Sequence, residues 1–67
     1  MSIGTNIKQK RESAGLTQAE LARLAGITQA MLCQIERGTK NPSLQVSLEL
    51  ASHLGCNVED FAESSNT

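Results

Sequence analysis

Aromatic side chains are almost missing from this chain of 67 residues: it has no tryptophan or tyrosine, and Phe61 is its one phenylalanine. Any core must therefore be aliphatic. A domain of this size buries only roughly 60% of its unfolded surface, which leaves a narrow stability margin. Cysteine is scarce too: Cys33 and Cys56 stand 23 residues apart, with a single histidine, His53, and no C-x-x-C pair. That pattern excludes a disulfide framework and the usual zinc spacings, and it fits a reducing cytoplasm. No metal or cofactor is expected. No apolar run approaches the ~18 residues of a membrane span. No charged-then-apolar leader opens the chain either, so neither a span nor a secretion signal is expected. His53 has no nucleophile–base pair, glycine-rich phosphate loop or metal spacing around it, so no enzyme and no small-molecule site is expected.

Charge is present but divided. The net charge is −1, yet residues 1–45 hold all six basic side chains (Lys8, Lys10, Arg11, Arg23, Arg37, Lys40) against three acids (Glu12, Glu20, Glu36). Residues 46–67 hold four acids (Glu49, Glu59, Asp60, Glu63) and no base. Such asymmetry suggests one face for a polyanion and another turned away from it, although small proteins also show it by chance.

The periodicity predicts five helices and no strand within a single domain, 1–67. A first helix over about residues 4–14 carries Ile3, Ile7, Arg11 and Ala14 on one face and stops at Gly15. Thr17 with Glu20 is a T-x-x-E capping box opening the second, whose apolar stripe is Leu21, Ala22, Leu24 and Ala25, and Gly26 ends it. Ile27 plugs the turn and Thr28 caps a third helix with Leu32 and Ile35 facing inward. Residues 38–42 read as a loop by their Gly, Asn and Pro. Ser43 caps a fourth helix with Leu44, Leu48, Ala51 and Leu54 at helical spacing, stopped by Gly55. Asn57 and Asp60 open a short fifth over residues 58–62, and residues 63–67 read as a frayed tail.

Residues 17–37 carry most of the functional information. Two short helices meet at a tight turn where small Ala22 lets them approach, the arrangement in which a second helix enters a DNA major groove. At 100° per residue from Gln29, Leu32, Ile35 and Glu36 fall at about 300°, 240° and 340°, facing inward. Ala30, Gln34 and Arg37 fall at about 100°, 140° and 80°, on the outer face. Glutamine can pair bidentately with adenine, and alanine is short enough to touch a thymine methyl. Gln29, Gln34 and Ala30 are therefore the expected base contacts. Met31 and Cys33 flank that face. Either they make apolar contact in the groove, or Met31 fills a gap beside the fourth helix and Cys33 sits at a half-exposed edge, which is favoured because Met is an adaptable core filler. Cys56 is expected as buried packing between the last two helices.

Residues 3–61 resemble the Xre-type helix-turn-helix family, which includes the repressor and Cro proteins of lambdoid phages. The likeness is carried by Ile7, Arg11, Gly15, the run Leu16-Thr17-Gln18-Ala19-Glu20-Leu21-Ala22, Gly26, Gln29, Ile35-Glu36-Arg37-Gly38, Pro42-Ser43, Leu50-Ala51 and Leu54-Gly55. It implies an all-α, compact, five-helix lambda-repressor-like domain with residues 28–37 as recognition helix. The second helix would aim its N-terminus at a phosphate, with Thr17 and Gln18 as contacts and Gln18 also bracing Gln29. Arg11 and Glu36 would form a structural ion pair rather than touch DNA. Arg37, Thr39, Lys40 and Asn41, with the amides from Gly38 onward, look like a second phosphate clamp, and Lys8 and Lys10 rank below them.

The resemblance further implies a cytoplasmic, nucleoid-associated prokaryotic or phage regulator, a dimeric repressor on double-stranded DNA with a pseudo-palindromic operator. Its homodimer interface would involve Asn57, Val58 and Phe61, where Phe61 could cap the core, join the interface, or do both. The alternative is an antitoxin or coactivator-like module whose main partner is a toxin or another protein.

Overall fold

The computed structural model describes residues 3–61. It contains four α-helices, α1 (Ile3–Ser13), α2 (Gln18–Ala25), α3 (Gln29–Arg37) and α4 (Leu44–Leu54), followed by a 3₁₀ turn, Val58–Phe61. No strand occurs among the described residues. The starts are those the caps dictate: the hydroxyls of Thr17, Thr28 and Ser43 accept from the amides of Glu20, Met31 and Val46 at 3.0–3.1 Å. Each satisfies one amide that the first helical turn leaves without a partner. At the other end, Gly26 (φ 74°) lets the chain reverse, and Ile27 N–H reaches back to Ala22 O at 3.0 Å. A side chain would resist that left-handed backbone.

The core lies where the helices converge. Ile7, Leu21, Ala22, Ala25, Leu32, Ile35, Leu50, Ala51 and Phe61 are buried, with Leu16, Ile27, Met31, Val46, Leu54, Cys56 and Val58 packed around them. α1 lies on α3, α2 packs against α3 and α4, and the 3₁₀ turn closes over α1 and α4. Asn6 Nδ2 donates to Phe61 O at 2.9 Å and fastens that closure.

Four expectations about faces need correction. On α1 the buried stripe is Gly4, Ile7 and Arg11, whereas Ile3 is 39% exposed and Ala14 lies exposed past the helix end. On α2, Leu24 is 43% exposed, off the stripe of Leu21, Ala22 and Ala25. On α4, Leu44 and Leu48 are 71% and 53% exposed, and the core side is Leu50 and Ala51 with half-buried Val46 and Leu54. Leu48 lies about 160° round the helix from Leu50. Both leucine rows have helical spacing, and α2 packs on the second. Last, Cys56 is only half-buried; it lines an open depression of about 300 Å³ with Lys10, Ser13, Ala14, Leu54 and Gly55. Burial pushes its thiol above the ordinary cysteine pKa.

The expected fifth α-helix is the 3₁₀ turn, opened by Asn57 N–H donating to Asp60 Oδ2 at 3.0 Å. Ala62 and the 63–67 tail lie outside the described residues. Phe61 is 2% exposed, so it is a core residue and the fold seals it without a partner. Phe61→Ala should lower unfolding stability by about 3–5 kcal/mol in urea titration, as aromatic-to-alanine cavities do.

Candidate nucleic-acid interface

The site is assembled from α2, the turn and α3. At the α2 N-terminus, Thr17 and Glu20 form a reciprocal box: Thr17 N–H donates to Glu20 Oε1 at 2.8 Å while Glu20 N–H donates to Thr17 Oγ1 at 3.1 Å. The Thr17 amide, with its hydroxyl beside it, holds the Glu20 carboxyl below its ordinary pKa. Leu21 N–H goes to Thr17 O. The amides of Gln18 and Ala19 are thereby left facing outward with the positive end of the helix dipole, and the Thr17 hydroxyl keeps its proton to donate.

Along α3, Gln29, Ala30, Gln34 and Arg37 are exposed together, backed by buried Leu32, Ile35 and Glu36. Met31 and Cys33 are half-buried at its borders, Met31 against the core. The outer face read from the helical period is thus a continuous row of two amides, a methyl and a guanidinium.

Beneath it lies a buried charge cluster. Arg11 Nε donates to Glu36 Oε2 at 2.8 Å and Nη2 to Glu36 Oε1 at 3.2 Å, with Nη1 going to Leu16 O at 2.8 Å. Both residues are 8% exposed. The hydrogen bond to Glu36 raises the Arg11 pKa above its already high ordinary value, so the guanidinium stays charged. Gln18 joins this cluster: its Nε2 donates to Glu36 Oε1 at 2.9 Å. The resemblance implies a phosphate, and Gln29 as well, as the partners of Gln18. An ionised carboxylate is the stronger acceptor, and it takes the bond.

The loop after α3 also differs from expectation. Gly38 N–H caps Ile35 O and Gln34 O, and Thr39 N–H donates to Gln34 O at 3.0 Å. The Thr39 hydroxyl donates to the same carbonyl at 3.2 Å. These donors close the helix end and do not face outward for an anion. Arg37, Lys40 and Asn41 remain exposed around them. On α4, His53 and Glu49 approach to 3.7 Å one turn apart, a surface contact with no further group of metal-binding residues among the described ones. No helix among the described residues is long and apolar enough to cross a membrane.

A family model described as helix-turn-helix matches residues 7–61. The chain belongs to this helix-turn-helix family. Among its relatives, an uncharacterised HTH-type transcriptional regulator, y4dJ, of Sinorhizobium fredii is 40% identical over 79% of this chain and 69% of that protein. The immunity repressor of Bacillus phage phi105 is 40% identical over 87% of this chain and 40% of its own length. Among solved structures, the regulator of biofilm formation SinR, in complex with DNA, superposes with a TM-score of 0.84 at 37% identity, over 88% of this chain and 95% of that one. The P22 c2 repressor bound to a synthetic operator gives a TM-score of 0.90 over 97% and 98% of the two chains; at 23% identity that likeness speaks for the helix-turn-helix fold alone.

Two structural residues went unread in the sequence. Leu16 contributes a carbonyl to Arg11, which carries no side-chain signal, and Gly4 is buried without an apolar side chain to mark it. Within the cluster, Glu36→Ala alone should cost about 3–5 kcal/mol, because it strands the Arg11 charge. The double change Arg11→Met with Glu36→Leu should regain most of that loss in the same denaturation assay, a coupling that separate costs would not give.

Proposed function

We propose that this chain is a sequence-specific double-stranded-DNA-binding transcriptional repressor that inserts α3 into the major groove. The observation that carries the reading is the exposed row Gln29, Ala30 and Gln34 on a helix whose opposite side is locked by the Arg11–Glu36–Gln18 cluster. Recognition by hydrogen bonding needs side chains held in fixed register, and a helix bolted through its inner face supplies that. Gln29 at the N-terminal tip reads one base, Gln34 one turn later reads a second, and Ala30 packs on a methyl. Thr17, the Gln18 and Ala19 amides, Arg37, Lys40 and Asn41 hold phosphates and position the helix without reading sequence. The DNA complex of SinR, at 37% identity, supports the same use of the fold here.

Few phosphate ligands imply modest affinity for one copy, so the reading includes a homodimer on a pseudo-palindromic operator, with half-sites about 34 Å apart. Its contact would use Asn57 and Val58, the exposed and half-buried residues at the 3₁₀ turn, without the buried Phe61. A second reading, a protein-binding module of the antitoxin or coactivator kind, is favoured by Leu44 and Leu48, whose exposure leaves α4 an uncovered apolar row.

Selection of duplexes from a random library, with sedimentation of the free protein alongside, tests both. Enrichment of an inverted repeat supports a dimeric operator-binding regulator; no enriched sequence transfers the weight to the protein partner. Gln29→Ala should relax the preference at a single base position by about 1–3 kcal/mol and leave the fold intact. Lys40→Ala should weaken all sequences alike and reduce the salt slope by about one unit, measured by titration across salt concentrations.

A further inference from the structure

We propose that Gly4 is a positioning residue for α3: its missing side chain sets the angle at which the C-terminal half of that helix is presented. The consequence for base reading rests on the DNA-binding function proposed above. Four of the five glycines have positive φ and open space where a Cβ would project. Gly4 differs on both counts, being helical and enclosed. Gly4 is the second residue of α1 and needs no left-handed backbone, so its place here calls for a packing reason.

The reason is a backbone-on-backbone contact. A Cβ on Gly4 would lie 2.7 Å from the Glu36 carbonyl oxygen and 2.9 Å from its carbonyl carbon, and nearer still to Ile35 O. All three atoms belong to the main chain of the last turn of α3, so no rotamer change can relieve the overlap. The close approach also sets the positive end of the α1 dipole against the carbonyl end of α3, which favours it electrostatically.

α3 is therefore held at its two ends by different neighbours. Its N-terminal end follows α2 through the turn, where Ile27 N–H bonds Ala22 O. Its C-terminal end follows α1, through Gly4 and through the Arg11–Glu36 pair two turns further along that helix. A side chain at Gly4 lifts only one of these supports. The result is a tilt about the turn, small at Gln29 and larger at Gln34 and Arg37. Binding sites tolerate misplacement of only about 0.5 Å before hydrogen-bonded recognition is lost.

The test compares Gly4→Ala with the parent chain, both carrying Ser52→Ala, an exposed α4 change that favours helix and offsets lost stability. Residual dipolar couplings of the DNA-free proteins report the angle of α3 against α2. A rotated α3 with α2 and α4 unmoved is the expected result, and an unchanged angle overturns the proposal. In duplex selection, the base preference assigned to Gln34 should fall by about 5- to 150-fold, the worth of one bidentate contact, while that assigned to Gln29 persists. Equal loss at both positions, or at neither, overturns it, since general destabilisation would not separate them. A Gly4→Ala chain that stays unfolded in the Ser52→Ala background overturns it too, by making Gly4 a requirement of folding. If the parent chain enriches no sequence, the DNA-reading function fails, and the dipolar couplings alone decide the role of Gly4.

Discussion

One carboxylate holds the arrangement of this domain together. Glu36 accepts two hydrogen bonds from Arg11 on α1 and one from Gln18 at the head of α2, so three helices meet on it. Aliphatic burial, which supplies most of the stability, has no direction: Leu32 and Ile35 gain about as much in any packing that removes them from water. A guanidinium fork on a carboxylate does have direction, because both bonds are made only in one relative orientation. Burying the charge is costly by itself, and the pair is retained where orientation matters. Here it lies directly beneath the helix whose outer side chains face away from the protein.

How much of this is legible in the sequence depends on the range of the chemistry involved. The starts of α2, α3 and α4 are legible because Thr17, Thr28 and Ser43 act on amides three residues away. The outer face of α3 is legible because its polar residues occupy one side of a single short helix. What could not be read depends on neighbours distant in sequence. α4 carries two leucine rows, and the positions of α1, α2 and the 3₁₀ turn decide that Leu50 turns inward and Leu48 outward. Gln18 could be assigned several acceptors, and the choice of Glu36 needs the two elements placed side by side. The amides of Gly38 and Thr39 are taken for a different reason. A glycine after a helix signals a cap, and a cap uses the next N–H inward, so Thr39 cannot also offer its amide to an anion. Gly4 has no apolar mass and so leaves no mark in a hydrophobic pattern, although it is among the most tightly placed residues in the fold.

The surface carries polar donors of two kinds. At the head of α2 the donors are main-chain amides with fixed directions, framed by the Thr17 hydroxyl. After α3 they are the long, exposed side chains of Arg37 and Lys40 and the amide of Asn41. In the DNA-binding function proposed above, the first kind would specify where a phosphate must be and the second would follow it, so one end of the surface would set register and the other would accommodate differences in backbone path.

The sealed position of Phe61 separates two equilibria. Its ring completes the core within one copy of the chain, so no second copy is needed to keep that side chain from water. An interface formed at the 3₁₀ turn would therefore be built from its outer residues, Asn57 and Val58, and could part without opening the core.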